Sequence, residues 1–260
     1  MVWGCTNMNF LVSIGKLLKL IIYLPLLNLL VFVYHYVPDL GIVIIILTVL
    51  SRILLLPSFH KSLKHQKIVQ ALQPKINEIK EKYKGDKQGE TQAMMELWKK
   101  HDFNPAAGCL PLLIQLPILI SLYQVFIHIL NGSAIVGLYK FVPNPGHISP
   151  YFLHFLDLSK SNVVLAITAG VLQYVQAKMI MPKTKIAADP AAQMSASLAL
   201  YYLPFITVLL GVKIPLNLGS KIVHIGVGLP SGLVIYWIAT TLFTIGQQYY
   251  ILRKETVEVL

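Results

Sequence analysis

The stretch LGIVIIILTVLSRILLLP, residues 40–57, is apolar throughout except for Thr48, Ser51 and Arg52. A helix needs roughly 20 mostly apolar residues to cross the hydrocarbon core of a bilayer, and this stretch is close to that length. An arginine at such a depth costs on the order of a few kcal/mol or more unless it faces a polar cavity or reaches the surface. The stretch therefore predicts a membrane-spanning helix that carries a candidate functional residue, Arg52.

The rest of the chain also has the composition of a membrane protein. Of its 260 residues, 55% are hydrophobic and 13% are charged, which is too apolar for a soluble domain of this size. We predict an all-α, polytopic membrane protein whose core has five transmembrane helices. The predicted segments are an N-terminal region (1–38), TM1 (39–58), a cytoplasmic helical hairpin (59–106), TM2 (107–130), an extracytoplasmic loop (131–160), TM3 (161–181), a cytoplasmic loop (182–193), TM4 (194–212), a second extracytoplasmic loop (213–228), TM5 (229–252) and a cytoplasmic tail (253–260).

The distribution of Lys and Arg predicts the orientation. Residues 59–104 hold ten lysines, residues 178–196 hold three, and Arg253 and Lys254 follow the last span, which together makes 15 of the 22 basic residues. Basic residues near span ends collect on the cytoplasmic side. We therefore place the hairpin and the C-terminus in the cytoplasm and, with five spans, the N-terminus outside. Most of the basic residues behind the net charge of +11 lie in these connections, so nucleic acid is not expected as a primary ligand.

Residues 10–37 allow two interpretations. They include the apolar run IIYLPLLNLLVFVYHYV, which Pro25, Asn28 and His35 interrupt. As a sixth span, the segment would place the N-terminus and Lys16 in the cytoplasm, which the charge rule favours. As an amphipathic helix on the outer leaflet, it leaves five spans. We favour the interfacial helix because of the family resemblance described below.

The segment 59–104 is the most polar part of the chain. Its apolar residues recur at three- and four-residue steps up to Tyr83, which predicts an amphipathic helix. GDKQG at 85–89 breaks this helix, and a second helix follows until DFNP at 102–105 stops it. We predict a helical hairpin with lysines on its outer faces, namely Lys61, Lys64, Lys75, Lys80 and Lys82. The alternative is a solvated loop that only fixes the topology.

No motif in the sequence predicts catalysis. There is no GxxxxGK[ST] motif for nucleotide phosphates, and the apolar runs of the five predicted spans hold no Asp or Glu that could serve an intramembrane protease. The two cysteines, Cys5 and Cys109, suit neither a disulfide framework nor a zinc site. We therefore expect no enzyme activity, no metal and no small-molecule cofactor.

The spans instead contain uncharged polar residues around the single charge of Arg52. Polar groups in lipid need partners, so these side chains should converge on one another or on water. They predict a wet, cationic cavity formed by Thr48, Ser51, Arg52, Gln115, Gln173, Gln176, Tyr236 and Trp237. Alternatively, Arg52 could reach over about 8 Å of helix to the cytoplasmic headgroups. The glutamines could then simply bind neighbouring helices, and Trp237 could belong to an interfacial aromatic belt.

Three stretches resemble the YidC family of membrane protein insertases, bacterial relatives of the mitochondrial Oxa and chloroplast Albino proteins. In family order they are LGIVIIILTVLSRILLLP at 40–57, NPAAGCLPLLIQLPILISLYQVF at 104–126 and LPSGLVIYW at 229–237. In addition, LQPKINEIKEKYKGD at 72–86 lies where the family has its cytoplasmic hairpin. The resemblance therefore extends over most of the chain.

The resemblance implies an energy-independent insertase in the bacterial cell membrane. Members of this family have a hydrophilic groove that opens to the cytoplasm and sideways to lipid. The groove holds an arginine, a glutamine and a tryptophan, which match Arg52, Gln176 and Trp237. The implied substrates are nascent membrane proteins, inserted alone or with the Sec translocon. An amphipathic helix on the outer face precedes the first span in such proteins, which favours the interfacial interpretation of residues 10–37.

The sequence departs from the family pattern in three ways. It shows no large extracytoplasmic domain, which suggests the short form of these proteins. The tail (253–260) lacks a basic extension, so any ribosome binding would fall to the lysine-rich connections. The connection 211–228 is longer than the usual turn.

Two other functions stay open at this point. One is a small-anion transporter that uses Arg52 as its binding charge, although no internal repeat relates residues 40–130 to residues 160–252. The other is a scaffold that binds inserted helices without moving them.

Overall fold

The computed structural model describes residues 15–101, 110–130, 135–181, 194, 197–218 and 221–254, and within these ranges the chain is mostly helical, as predicted. The helices are α1 (Gly15–Tyr36), α2 (Leu40–Leu54), α3 (Leu56–Lys82), α4 (Lys87–Lys100), α5 (Leu110–Leu130), α6 (Val163–Ile180), α7 (Leu198–Gly211) and α8 (Ser231–Lys254). Helices α1 and α7 each contain a π-helical turn, at Lys19–Tyr23 and Leu198–Tyr202.

Two antiparallel ribbons correct the all-α prediction. The first pairs β1 (Tyr151–Phe152) with β2 (Leu156–Asp157), and the second pairs β3 (Ile214–Leu218) with β4 (Lys221–Ile225). The sequence of β4, KIVHI, contains three β-branched residues, which favour the pleated surface of a strand over a helix. Both ribbons lie in connections that were predicted to be loops.

Helix α2 has well-defined ends. Asp39 caps its start, because one carboxylate oxygen accepts a hydrogen bond from the backbone N–H of Ile42 at 3.0 Å. The helix ends at Leu54, and Pro57 lies in the first turn of α3, where a missing N–H leaves no helical hydrogen bond unmade. The axes of α2 and of residues 56–64 differ by 64°. The chain therefore bends sharply just after Arg52.

Helices α2, α5 and α8 share one apolar core. A Cβ atom built at Gly232 would lie 3.1 Å from the ring of Phe126 and 3.6 Å from Ile44, so the three helices approach one another closely at this glycine. Among the least exposed side chains of this core are Leu40, Val43, Ile44, Val125, Phe126 and Leu233. This packing fixes the relative positions of Arg52, Gln115 and Tyr236, which the same helices carry.

Helix α1 lies along the connection 135–160. The side chain of Asn28 is buried, donates to the carbonyl of Gly137 at 3.0 Å and accepts from the backbone N–H of Tyr139 at 2.6 Å. Two turns later the hydroxyl of Tyr34 accepts from the backbone N–H of Ser149 at 3.0 Å. The C-terminal half of α1 is therefore bound lengthwise to this connection.

The described helices differ in how well they suit a membrane span. By length and hydropathy α1 and α6 qualify, and α2 with the first turns of α3 would make a third, bent span. Residues 115–129 of α5 and all of α7 are apolar but shorter. Helix α8 has sufficient length, but Thr240, Gln247 and Gln248 are among the residues that lower its hydropathy. The described residues thus give two or three spans, and five stays a prediction.

Helices α3 and α4 occupy the region predicted to form the hairpin. The turn between them contains Gly85 at a φ of 98°, a conformation that glycine adopts readily. Asp86 then caps α4 by accepting from the backbone N–H groups of Gln88 and Gly89. Leu72 and Ile76 of α3 are buried. The sequence thus produces two helices joined by a short turn.

Candidate functional site

Arg52 lies in the last turn of α2 and is only 7% exposed. Its Nη2 atom donates to Oε1 of Gln115 on α5 at 3.0 Å. The guanidinium carbon also lies 4.4 Å from the centre of the Phe59 ring on α3, within the range of a cation–π interaction. The side chain is therefore held inside the protein between three helices and does not extend to the surface.

Gln115 extends this contact to α8. Its amide nitrogen donates a short hydrogen bond to the hydroxyl of Tyr236, which is 4% exposed. The series Arg52–Gln115–Tyr236 thus connects α2, α5 and α8 through side chains alone. Hydrogen bonds in such a buried series strengthen one another and fix the orientation of each member.

The charge of Arg52 has no counter-ion in the described part of the chain. Both of its described partners, the Gln115 amide and the Phe59 ring, are uncharged. A desolvated cation with neutral partners keeps its attraction for an anion. The charge and burial of Arg52 are therefore suited to a carboxylate or another anionic group.

The other predicted cavity residues are arranged differently. The hydroxyls of Thr48 and Ser51 donate to backbone carbonyls of their own helix, at 2.7 and 2.8 Å. Gln173 on α6 accepts from the hydroxyl of Thr207 on α7, and this bond joins two helices. Gln176 and Trp237 are half-buried, and neither side chain has a hydrogen-bond partner among the described residues. The structure thus gathers Arg52, Gln115 and Tyr236 into one contact network and leaves the rest outside it.

Several residues that contact a predicted site residue or carry a buried polar group were not among the predicted ones. Phe59 contacts Arg52 only because of the bend after α2, and Thr207 became visible only as the partner of Gln173. Gln248 on α8 is 2% exposed, yet neither atom of its amide has a partner among the described residues, and the same is true of the Ser62 hydroxyl on α3. Buried polar atoms of this kind require water or an incoming polar group. The sequence signal that could have identified Gln248 is that it is a polar residue within an apolar run.

An apolar cleft of about 370 Å³ opens between α2, α6 and α8. Its lining contains no charged residue and consists of Ile45, Val49, Phe152, Leu165, Ile235, Ile238, Ala239, Leu242 and Phe243. Ile45 and Val49, which line the cleft, lie at three- and four-residue spacing from Thr48 and Arg52, so all four residues share one side of α2. The apolar cleft and the polar network are therefore neighbours along this side of the helix.

The predicted hairpin lysines lie mostly on the surface. Lys61, Lys64, Lys75 and Lys82 are exposed, and Lys80 is half-buried. The ammonium group of Lys82 lies 5.5 Å from the centre of the Tyr83 ring. Within the described ranges, no group of three His, Cys, Asp or Glu residues could hold a metal ion. The hairpin thus presents a cationic surface.

The start of α8 is tied to the connection that precedes α6. The backbone N–H and hydroxyl of Ser231 both donate to the carbonyl of Lys160, at 2.9 and 2.6 Å. The ammonium of Lys160 lies 2.9 Å from the carboxylate of Asp157. Hydrogen bonding, first from the Ser159 hydroxyl and then from Lys160, lowers the pKa of Asp157. These contacts form a polar anchor at one end of α8.

The comparisons with known proteins agree on one family. A model of the family described as "60Kd inner membrane protein" matches residues 32–220. The membrane protein insertase YidC of Syntrophus aciditrophicus (strain SB) is 36% identical over 233 residues, which are 89% of this chain and 36% of that protein. The YidC of Geobacter sp. (strain M21) is 34% identical over 236 residues, 90% of this chain and 37% of that protein. The chain thus spans a little over a third of the length of these relatives.

A solved structure supports the fold. An active YidC insertase, crystallised with its first transmembrane domain resolved, aligns with a TM-score of 0.54 at 24% identity. The alignment covers 96% of this chain and 47% of that one. The likeness therefore holds for nearly all of the chain described above.

Proposed function

This chain belongs to the YidC family of membrane protein insertases, and from that premise we propose that it inserts hydrophobic polypeptide segments into the bilayer without hydrolysing nucleotide. Its relatives are named for this activity. The substrates would be nascent membrane proteins, and the site of action would be the bacterial cell membrane. The family model is itself described as an inner membrane protein.

The observation that carries the proposal is the buried charge of Arg52, which has no counter-ion among the described residues. An acidic or polar segment of a substrate would act as its counter-ion. The strength of this attraction depends on the low local dielectric, which is maintained by the apolar core of α2, α5 and α8. Arg52 would thus act as a docking charge for a passing polypeptide and not as a catalytic group.

The residues near Arg52 would complete a hydrophilic groove. Gln115 and Tyr236 hold the guanidinium in place, while Gln176 and Trp237, half-buried and without described partners, would contact the substrate. Thr48, Ser51 and Gln173 would supply polar backbone and amide atoms along the groove wall. Such a groove shortens the distance over which polar substrate groups must cross hydrocarbon, which is the costly step of insertion.

The apolar cleft would serve the second step of insertion, in which the substrate segment leaves the groove for the lipid. A substrate segment that leaves the groove needs an apolar surface as it moves toward lipid, and the cleft beside α2 offers one. Burial of its apolar surface in lipid would drive this movement with about 25 cal/mol per Å². The position of the apolar cleft next to the polar residues of α2 thus supports lateral release.

We further propose five spans, with the hairpin and the C-terminus in the cytoplasm. Under this orientation α5 ends at the outer boundary and α2 begins there. The ring of Tyr23 on α1 lies 6.2 Å from that of His128, near the end of α5, and α1 leads into Asp39 at the start of α2. Both halves of α1 thus contact residues at the outer level, which supports a helix lying on the outer leaflet.

The cytoplasmic hairpin would receive the substrate first. Its exposed lysines would attract acidic segments and the anionic lipid surface. The Sec translocon and the ribosome are the further partners that we propose, the latter through the same lysine-rich surfaces. These assignments follow from the family and from the charge distribution.

The test is insertion into proteoliposomes that contain the purified chain. With a substrate whose translocated tail is acidic, Arg52→Ala and Arg52→Glu should lower the insertion yield, the latter more strongly, while Arg52→Lys should retain part of it. A substrate with a neutral tail serves as the control and should depend less on the charge at position 52. Unchanged yields for both Arg52→Ala and Arg52→Glu would rule out the docking role.

A buried cation with no counter-ion in the described ranges is also what a small-anion transporter would need. This second function predicts uptake of a small anion into the same liposomes, lost in Arg52→Ala, without any polypeptide substrate. A scaffold would instead stabilise helices that are already inserted and fail to insert new ones. The two measurements on one preparation therefore separate the three functions.

A further inference from the structure

The contact between Arg52 and Phe59 joins the two sides of the bend that follows α2. Helix α2 ends at Leu54 and α3 begins at Leu56, and the axis of residues 56–64 is turned by 64° from that of α2. Arg52 lies in the last turn of α2, and Phe59 lies in the first turn of α3. The contact therefore connects the membrane-spanning helix to the first helix of the hairpin.

The backbone hydrogen bonds at the bend leave its angle free to change. The amide of Leu55 donates back into α2, to the carbonyl of Ser51 at 3.0 Å. On the other side, the amides of Ser58 and Phe59 both donate to the carbonyl of Leu55 at 3.1 Å, and Pro57 has no amide hydrogen. These bonds meet at Leu55 alone, so side-chain contacts set the angle between the helices.

The contact of Arg52 with Phe59 is suited to this task. Both side chains are only 7% exposed, and the guanidinium carbon lies 4.4 Å from the centre of the ring. A cation–π interaction is stronger when the two groups are removed from water. The charge of Arg52 therefore helps to hold the start of α3 against α2.

The docked position of α3 also carries an unfavourable group. Ser62 and Leu63 follow Phe59 by three and four residues, so they share its face, and both are buried. The hydroxyl of Ser62 has no hydrogen-bond partner among the described residues. A buried hydroxyl of this kind would regain hydration if the start of α3 moved away. The Arg52–Phe59 contact thus opposes a group that favours release.

A counter-ion at Arg52 would change this balance. The ring attracts the guanidinium through its positive charge, and an anion beside the guanidinium lowers the net charge that the ring meets. The partners that the described residues give Arg52 are uncharged. An anionic group that binds Arg52 would therefore also weaken the contact that holds α3.

We propose that Phe59 is a positioning residue that couples the occupancy of Arg52 to the position of the hairpin. While Arg52 is free, Phe59 holds the start of α3 against α2. When an acidic segment of a substrate binds Arg52, the contact weakens and α3 rotates about Leu55. The inference rests on the proposed docking role of Arg52 and adds a response of the hairpin to docking.

Coupling of this kind is reciprocal, which gives the proposal a distinctive consequence. If an anion weakens the Arg52–Phe59 contact when it binds, removal of the ring should make an acidic peptide bind more tightly. The expected gain is about two- to thirtyfold, which corresponds to the strength of a cation–π contact. A ring that only fills space predicts the opposite, because its loss would loosen the site and weaken binding.

Two spin labels can measure the position of α3 directly. In a chain with Cys5→Ser and Cys109→Ser, one label is placed at Leu50→Cys on α2 and the other at Lys75→Cys on α3, both at exposed positions. Position 75 lies about 28 Å along α3 from the bend, so a small rotation changes the distance between the labels. The distance is measured in nanodiscs by pulsed electron resonance. A fluorescent peptide rich in aspartate is the probe, and its asparagine counterpart is the control.

We expect the aspartate peptide to change the distance between positions 50 and 75, and the asparagine peptide to leave it unchanged. Phe59→Leu should show the changed distance without peptide and should bind the aspartate peptide more tightly. Phe59→Tyr, which keeps an aromatic ring, should resemble the parent chain. Phe155→Leu is the matched control, because the same replacement there removes a ring that is 75% exposed, and it should alter neither reading.

Three results would overturn the proposal. They are an unchanged distance in Phe59→Leu without peptide, equal or weaker peptide binding by Phe59→Leu, and a peptide-induced change that persists in Phe59→Leu. Failure of the docking role is seen separately, as equal binding of the aspartate peptide to the parent chain and to Arg52→Gln. That result would also remove the coupling, while the distance in Phe59→Leu without peptide would still show whether the contact holds α3.

Discussion

Gln115 links Arg52 to Tyr236 through hydrogen bonds to both side chains. Gln115→Leu keeps the size of the side chain but leaves a buried guanidinium without its described acceptor and a buried hydroxyl without its donor. Loss of such partners typically costs about 1–3 kcal/mol. We expect the variant to unfold at a lower temperature in detergent and to insert an acidic-tailed substrate less efficiently.

Gln124→Leu is the matched control, because Gln124 lies on the same helix with an exposed side chain. A surface change of this kind is usually worth less than about 0.5 kcal/mol. If the two variants unfold at the same temperature, the buried series has no energetic importance. Because both variants replace a glutamine by leucine on the same helix, any difference between them reflects the burial and hydrogen bonds of Gln115.

Asp157 gives the polar anchor at the start of α8 a pH dependence. Its folded pKa is lowered, first by the hydrogen bond from Ser159 and then by Lys160, and the unfolded value is about 3.9. The carboxylate therefore stabilises the folded connection above the unfolded pKa, and this stabilisation is lost as the pH falls through the folded pKa. We expect wild type to exceed Asp157→Asn in thermal stability at neutral pH and the two curves to converge in acid.

Ser159→Ala serves as the control for this titration. Ser159→Ala keeps the Asp157 carboxylate but removes the Ser159 hydroxyl, which is the largest cause of the lowered pKa. The pH-dependent part of the folding stability should therefore decrease but not disappear. A difference between wild type and Asp157→Asn that stays constant down to low pH would contradict the assignment.

At the residue scale, sequence reasoning named the members of the site but not their partners. Arg52, Gln115 and Tyr236 were selected because polar groups in apolar runs need partners. Arg52 binds Gln115 and not Gln173, and this choice depends on how α2, α5 and α6 pack. Gln115 lies 63 positions from Arg52 in the chain, so no local sequence signal indicates their contact. Phe59 was missed for the same reason, since its contact depends on the bend after α2.

Helices α6 and α7 meet at Gly170. A Cβ atom there would lie 2.4 Å from a methyl of Val208 and 3.2 Å from the carbonyl of Pro204. Gly170→Ala should therefore force the helices apart, at a cost of about 1–3 kcal/mol. Thermal unfolding in detergent would show this as a lower midpoint.

Two further variants give this prediction its controls. Adding Val208→Ala should restore part of the loss, because it removes the methyl that the new Cβ meets. Gly246→Ala on α8 has no neighbour within 4 Å and should stabilise by up to about 1 kcal/mol through helix propensity. Equal effects of Gly170→Ala and Gly246→Ala would show that α6 and α7 are not in close contact in solution.

At the element scale, local signals predicted helices well and ribbons poorly. Asp39 before an apolar run and Pro57 after it bracket α2 within a few residues of the predicted span. The β3–β4 ribbon was predicted as a loop because its strands have five residues each and because their pairing depends on Gly226 and the end of α7. Such contacts arise only when the helices are in place.

At the scale of the whole molecule, the topology depends on whether α1 spans the membrane or lies on its surface. By length and hydropathy it qualifies as a span. However, Asn28, at its centre, binds Gly137 and Tyr139 of a connection that we assign to the outside. A spanning helix would place its centre near the bilayer midplane, some 15 Å from that connection. The contacts therefore favour the interfacial position.

Labelling with a membrane-impermeant maleimide distinguishes the two arrangements. Single cysteines at Lys16, Lys75 and Lys140, in a chain with Cys5→Ser and Cys109→Ser, are probed in intact cells and in inverted vesicles. We expect Lys140→Cys to react from outside and Lys75→Cys from the cytoplasmic side, which establishes the orientation of the core. Lys16→Cys should then react from outside, since an interfacial α1 keeps both ends on one side of the membrane. Reaction of Lys16→Cys from the cytoplasmic side would instead make α1 a sixth span, and the contacts of Asn28 would then have to form within the bilayer.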